Sequence, residues 1–198
     1  MTKGTDIKKI NYYFIALLIT LGANADQRSY WSLSAGWAQP GDTEIYNANR
    51  NHIGDLEFDA GMVIEGAIGN QISDLPVAYE LAIAYQQNEV SGNRDGINIS
   101  DDATLLTAMA NGYYLISCEQ SFTPYGMVGI GVLDADIGVV GQDTVLAAQF
   151  GAGICYPLDD ESCLSLEYRF FVAEDLQDEG GDIELDSQNL QIGYTRYY

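Results

Sequence analysis

Alternation at a spacing of two, bulky residues on one face and small or polar ones on the other, narrows the possible folds of this chain more than any other feature. Between Val77 and Gln86, the residues Val77, Tyr79, Leu81, Ile83 and Tyr85 share one face, and Ala78, Glu80, Ala82, Ala84 and Gln86 share the other. Successive side chains of a β-strand point to opposite sides of its sheet, so this is a strand with two dissimilar faces. Leu164, Leu166, Tyr168, Phe170 and Val172 alternate in the same way with Ser165, Glu167, Arg169 and Phe171. Leu146, Ala148, Phe150, Ala152 and Ile154 do so with Gln149, Gly151 and Gly153. Eight such segments are predicted, over residues 30–38, 56–68, 77–86, 104–117, 122–133, 144–156, 163–173 and 187–198. Each is about as long as a tilted strand that crosses a bilayer, roughly 9–11 residues or a little more.

A soluble sandwich also alternates, but three features favour a barrel in lipid. The bulky face is apolar in nearly every segment, and none has a clearly solvated face. A water-soluble barrel would place its large residues inside, where eight strands leave little room; the inward candidates here are Gly, Ala, Ser, Thr, Asn, Gln and a few charges. The connections also alternate in length. Those at 39–55, 87–102, 134–143 and 174–186 are long, and those at 69–76, 118–121 and 157–162 are short. Long extracellular loops alternating with short periplasmic turns is how bacterial outer-membrane barrels are built. A closed ring also removes the sheet edges that lipid cannot satisfy.

The N-terminal stretch reads as an export signal. Lys3, Lys8 and Lys9 form a positive region, residues 12–22 form a short apolar run, and Ala23-Asn24-Ala25 supplies the small-x-small pattern for cleavage before Asp26. The run is short of the roughly 20 residues that a transmembrane helix needs. The expected division is therefore a signal peptide over 1–25 and an all-β barrel over 26–198. Residues 1–25 hold all three lysines and one acid, Asp6, so the 173 residues that remain carry five arginines against 28 acids, a net charge of −23. So acidic a chain has no cationic surface for nucleic acid, and it attracts cations instead. No later run of about 18 apolar residues exists, so the apolar content, 47% of the chain with 14 tyrosines, must sit on strands.

Trp31, Tyr79, Tyr114, Tyr156, Tyr194 and Tyr198 fall near predicted strand ends, where amphipathic rings suit the headgroup zone. Leu190, Ile192, Tyr194 and Tyr198 share a face of the last segment, and Arg196 interrupts it. An arginine there can snorkel to the interface.

Several stretches resemble the eight-stranded porin-like and opacity-type outer-membrane family, which includes OmpA-like transmembrane barrels and surface antigens of intracellular bacteria. The stretch LLTAMANGYYLI, residues 105–116, is similar to the family's fourth strand, with Met109, Asn111 and the Tyr113-Tyr114 pair. FTPYGMVGIGV, residues 122–132, resembles its Pro-Tyr and alternating-glycine strand, with Pro124, Tyr125, Gly129 and Gly131. AAQFGAGICYPLDDESCLSLEYRFF, residues 147–171, resembles its closing hairpin, ending in Glu167-Tyr168-Arg169. The aromatic C-terminus resembles the signature by which such barrels are handed to the barrel assembly machinery. The resemblance implies an eight-stranded antiparallel up-and-down transmembrane β-barrel in the bacterial outer membrane. It specifies no ligand, because fold and function separate easily.

The candidate chemistry lies in the lumen and the loops. Glu65, Glu80, Asn111, Glu167 and Arg169 are the predicted lumen polar network, in which Arg169 forks across Glu80 or Glu167. Such a set reads either as a gate or as a polar plug, and side chains normally fill an eight-stranded lumen. Glu174, Asp175, Asp178, Glu179, Asp182, Glu184 and Asp186 crowd one loop as a possible cation-binding segment, although no calcium-loop motif appears. Cys155 and Cys163 flank a predicted hairpin turn and are expected to form a disulfide, leaving Cys118 as a free thiol or an alternative partner. No Cys/His cluster has metal-ligand spacing, and no cofactor is expected. His52, near Asp55, is the single histidine; with Ser32 or Ser34 it would have to build a hydrolase site, and no nucleophile motif surrounds it. The Gly-x-Gly pairs at 129/131 and 151/153 lie in strands with no helix after them, so they are not a nucleotide fingerprint. The leading expectation is a non-enzymatic surface protein whose barrel anchors four acidic loops, in contact with lipopolysaccharide and an external or host partner. The alternatives are a narrow channel for small solutes and an enzyme centred on His52.

Overall fold

The structure, a computed structural model, describes residues 27–41, 43–46, 52–94, 97–117, 121–137, 141–174, 176–178, 181–183 and 185–198. The expected signal segment, 1–25, and Cys118 lie outside the described residues. The described residues form strands and no helix. In chain order they are β1 (Gln27–Pro40), β2 (Thr43–Tyr46), β3 (His52–Phe58), β4 (Gly61–Ile72), β5 (Val77–Arg94), β6 (Ile97–Leu115), β7 (Thr123–Ile137), β8 (Gly141–Asp159), β9 (Ser162–Ala173), β10 (Leu176–Asp178), β11 (Gly181–Ile183) and β12 (Asp186–Tyr197).

Eight of these close a ring. β1 pairs with β4, β4 with β5, and each strand from β5 to β9 with the next; β9 pairs with β12, which returns to β1, all antiparallel. The lipid face is the one read from the sequence: Leu33, Ile64, Ile83, Val128, Ile130, Leu146 and Ile192 are all more than half exposed on its outside. Trp31, Tyr79, Tyr114, Tyr156, Tyr194 and Tyr198 all gather at the end of the barrel that carries the short turns, with the Trp31 and Tyr194 rings 5.7 Å apart. Short turns mark the periplasmic side. There Arg196 reaches Glu161 at 2.6 Å, and Arg28 donates to the Asp160 carbonyl while its guanidinium lies 4.5 Å from the Tyr197 ring centroid.

Two expectations about the strands need correction. The segment 56–68 is not one strand: it breaks at Asp59 and Ala60, where the chain leaves β3 for β4. The buried Asn88 amide holds this crossing by donating to the Asp59 carbonyl at 2.8 Å and the Ala38 carbonyl at 3.1 Å. A side chain at Gly61 would sit 1.9 Å from the Gln87 carbonyl, so the close approach needs glycine. The four long connections are also largely not loops. β5 and β6 stay paired without slip from Val77↔Tyr114 to Arg94↔Ile97, and β7 and β8 from Thr123↔Cys155 to Ile137↔Gly141. β3 adds to the far end of β5, β2 to β3, β11 to β2 and β10 to β11, with β10 lying against β8.

These strands form a second storey above the lipid-facing ring. Its interior is apolar, and the filling reaches down into the top of the ring: Phe58, Val90, Ala103, Leu105, Met109, Leu133, Ala135, Ala147, Phe171 and Leu185 form one buried cluster. The lumen is therefore not small and polar throughout, as the sequence suggested. Along β7, Val128 and Ile130 face out below the boundary; above it Leu133 and Ala135 face in while Asp136 faces out. The period of two continues, but the apolar face changes sides.

Candidate functional site

The polar residues of the lumen lie below that apolar storey, on strands whose register brings them together. Glu80 on β5 stands opposite Asn111 on β6, and Asn111 stands opposite Gly129 on β7, which stands opposite Gln149 on β8. A Cβ at Gly129 would fall 2.2 Å from Asn111 Oδ1 and 3.0 Å from Gln149 Cγ, so the bare glycine lets these two amides meet across it. Gly151 stands opposite Arg169, where a Cβ would lie 3.1 Å from Arg169 Cγ. The alternating glycines thus clear a path for one continuous hydrogen-bonded chain.

That chain runs across the barrel. Arg169 Nη1 and Nη2 donate to Glu65 Oε2 and Oε1 at 2.7 and 3.0 Å, a two-pronged ion pair. Arg169 Nε donates to Glu167, and Nη1 approaches Gln149 Oε1 at 3.5 Å. The Gln149 amide donates to Asn111 Oδ1 at 2.7 Å, and the Asn111 amide donates to Glu80 Oε1 at 3.0 Å. The hydroxyls of Tyr113 and Tyr30 complete Glu80, donating to Oε1 at 2.6 Å and Oε2 at 3.1 Å. Glu65, Glu80, Asn111, Glu167 and Arg169, the five residues singled out from the sequence, are all at least 92% buried and belong to this one network. Of the two partners expected for the guanidinium, Glu167 is held, through Nε, and Glu80 is not; the two-pronged fork goes to Glu65 on β4. Among the described residues no buried side-chain nitrogen or oxygen lacks a hydrogen-bond partner, the condition under which buried charge is tolerated.

Sequence reasoning missed Tyr30, Tyr113, Tyr125 and Gln149. For Gln149 and Tyr113 the inward parity was visible, since they alternate with Phe150 and Tyr114. For Tyr30 the parity was visible as well, since it shares a face with Ser32 and Ser34 and alternates with Trp31 and Leu33; only for Tyr125, flanked by Pro124 and Gly126, does no local contrast separate a lumen ring from a lipid-facing one.

Below the network a cavity of about 190 Å³ opens toward the short-turn end, with Tyr30, Glu80, Tyr113, Tyr125, Glu167 and Tyr197 among its walls. Cys155 and Cys163 also face it and are joined as a disulfide, with Cα atoms 6.0 Å apart. They are diagonal neighbours, because Cys155 stands opposite Ser165 and Cys163 opposite Pro157.

The other candidates are not assembled. Of the acidic segment, Glu174 and Asp186 are exposed, Asp178 and Asp182 lie on β10 and β11, and Asp175, Glu179 and Glu184 are outside the described residues. Among the described residues no group of His, Cys, Asp or Glu is arranged to hold a metal ion. His52 begins β3 in the outer storey, opposite Tyr46, and Asp55 stands opposite Glu44 and Asn93. Ser32 and Ser34 face the cavity on β1, with Ser34 Oγ donating to Gln191 Oε1 at 2.6 Å. Register alone keeps the histidine and these serines in different storeys.

No curated protein matches the chain in sequence. Among solved structures it is similar to Neisserial surface protein A, with a TM-score of 0.58, 15% identity and coverage of 86% of this chain and 97% of that one. It is similar to the outer membrane protein OprG from Pseudomonas aeruginosa, with a TM-score of 0.56, 12% identity and coverage of 88% and 98%. It is also similar to the outer membrane protein AlkL, solved in lipid bilayers, with a TM-score of 0.54, 15% identity and coverage of 89% and 93%. At such identities the likeness is one of fold. Residues 14–196 match the family described as the outer membrane protein beta-barrel domain. With a closed ring of eight antiparallel strands, an apolar outer face and this match, the chain belongs to the outer membrane protein beta-barrel domain family and is a protein of the bacterial outer membrane.

Proposed function

We propose that this protein is a non-enzymatic surface protein, in which the membrane-embedded ring anchors an acidic extracellular storey that makes contacts outside the cell. The observation that carries this reading is the closure of the lumen. Leu105, Met109, Leu133 and Phe171 fill the barrel above the Arg169 network, so the described interior offers an anchor and a platform more readily than a conduit. No catalytic role is assigned to His52. Residues 1–25 are proposed to be a signal peptide removed on export, and the C-terminal strand to be what the barrel assembly machinery engages.

The outer storey has the charge for contact with lipopolysaccharide through divalent cations. Glu89, Asp102, Asp136 and Glu174 are exposed just beyond the apolar band, and Glu89 stands directly opposite Asp102. Like charges placed across a strand pair repel, and hard divalent cations relieve that repulsion where carboxylates meet phosphates. An external or host partner would read the same surface. The test is single-channel recording in planar bilayers, with surface labelling of intact cells. The expected outcome is no steady conductance and strong labelling of the outer storey. A reproducible open conductance would replace this reading with that of a narrow channel.

A further inference from the structure

The cavity on the short-turn side of the network has no role in the surface-protein reading, and its charge is uneven. Three carboxylates, Glu65, Glu80 and Glu167, and one guanidinium, Arg169, face it. Arg169 is fully engaged by Glu65 and Glu167. Glu80 is 95% buried, and its hydrogen-bond partners, Tyr30, Tyr113 and Asn111, are all neutral. It is thus a buried carboxylate without an ion-pair partner among the described residues, at the wall of a cavity that opens to water. Burial of an anion favours a cation beside it.

The rest of the lining narrows the class of that cation. The cavity of about 190 Å³ has roughly the share of six liquid waters, enough for a compact organic ion. Two tyrosine pairs stand in its wall, Tyr30 with Tyr197 at 5.5 Å and Tyr113 with Tyr125 at 5.6 Å between ring centroids. Aromatic walls around an anion suit an alkylated ammonium, whose spread charge is held by ring quadrupoles and whose methyl groups shed water cheaply. A metal ion would need several carboxylate oxygens free at once, and those of Glu65 and Glu167 already hold Arg169.

We propose that this periplasm-facing vestibule is a binding site for a small organic ammonium ion, with Glu80 as its counter-charge and the tyrosine pairs as its walls. Entry is from the periplasm, because the apolar storey closes the other end. The proposal does not depend on the function of the outer storey.

The test uses the full mature chain refolded in maltoside micelles, which carry no ammonium of their own, titrated calorimetrically with choline chloride against a sodium chloride control. Saturable binding is expected. The neutral isostere of choline, with carbon in place of the ammonium nitrogen, should bind at least ten-fold more weakly, as should choline to Glu80→Gln. Because Glu80→Gln disturbs the network, Ser32→Leu serves as a second variant: it fills the cavity from β1, leaves every carboxylate in place and should abolish binding. Both are first checked for a folded barrel by gel mobility with and without boiling. Absence of saturable binding to the folded wild-type protein, equal affinity for the neutral isostere, or undiminished binding by Ser32→Leu would each overturn the proposal.

Discussion

Replacing Arg169 by methionine is the sharpest test of the lumen network. The guanidinium, Glu65 and Glu167 have side chains no more than 7% exposed, and one cation serves both acids. At an effective dielectric of about 20, unit charges about 4 Å apart attract by about 4 kcal/mol. Removing one partner of a buried pair costs about 3–5 kcal/mol, because the other charge stays buried alone. Methionine has a similar stem and leaves little void, so Arg169→Met should destabilise by that amount through electrostatics. Glu65→Gln should cost less, about 1–3 kcal/mol, because Arg169 keeps Glu167 and Gln149. In the double variant Arg169→Met/Glu65→Gln the total loss should fall short of the sum of the two single losses by about 2 kcal/mol, the coupling expected of residues in one network. The assay is urea unfolding of vesicle-inserted protein. It can be followed by the fluorescence of the two tryptophans, Trp31 and Trp37, which both face lipid from β1, with unboiled gel mobility as a second probe. The slope with urea should stay constant, so that midpoints report stability. An Arg169→Met midpoint equivalent to less than about 1 kcal/mol, with an additive double variant, would refute the idea that this ion pair is desolvated. Conductance gives an independent reading: Arg169→Met should not open the barrel, because Leu105, Met109, Leu133 and Phe171 lie above the lost charge.

The other expectations concern different parts of the molecule. Breaking Cys155–Cys163, which closes a separation of eight residues, should cost about 2–3 kcal/mol by loop-closure entropy; mapping of unreduced peptides should find these two joined, and a Cys163–Cys118 peptide would contradict it. Ile130→Lys places a charge on the lipid face and should cost about 2–4 kcal/mol, whereas Asp136→Lys, three outward positions further along β7, should leave the unfolding midpoint nearly unchanged; equal penalties would misplace the membrane boundary. The Glu161 backbone N–H donates to Asp159 Oδ1 at 2.8 Å and holds that exposed carboxyl below its ordinary range. Its stabilising contribution is therefore full above the unfolded value of about 3.9 and fades as pH falls through the lower folded value; Asp159→Asn should flatten that acid limb of stability, read as urea midpoints against pH, and an unchanged limb would count against it.

What could be read in the sequence and what could not divides along physical lines. The lipid face of β5, β8 and β9 was legible because lipid demands bulky apolar residues at every second position, and Leu81, Ile83 and Tyr85 supply them. The inward Glu80, Glu167 and Arg169 were legible by parity alone, since a charge that alternates with lipid-facing residues has only the lumen to enter. That Arg169 would grip Glu65 besides Glu167 was not. Glu65 and Arg169 lie 104 residues apart, on β4 and β9, which are not paired neighbours. Only closure of the ring brings them face to face, and the stagger of closure is not written in any one strand. The outer storey does not read as strands because Val90, Ala135 and Leu185 are spaced among acids. A search for bulky outward residues sees there a loss of pattern rather than an inversion of it.

That inversion has a single cause. Where the ring stands in lipid its outside is already apolar, so the interior need not supply a core, and a polar lumen persists if every group is paired. Beyond the boundary the same strands have water on both sides of their pleat, and a sheet there is stable only if one face is buried apolar surface. The only face that eight strands can bury is the inner one. The apolar residues must therefore cross from outside to inside where the solvent changes. Tyr85 gives way to Glu89 on the outside of β5 as Val90 turns in, and Val128 gives way to Asp136 on β7 as Leu133 and Ala135 turn in. On this reading the sealed outer end is not a separate device for blocking a pore. A storey that extends into water must fill its own interior to fold, and filling it closes the lumen beneath.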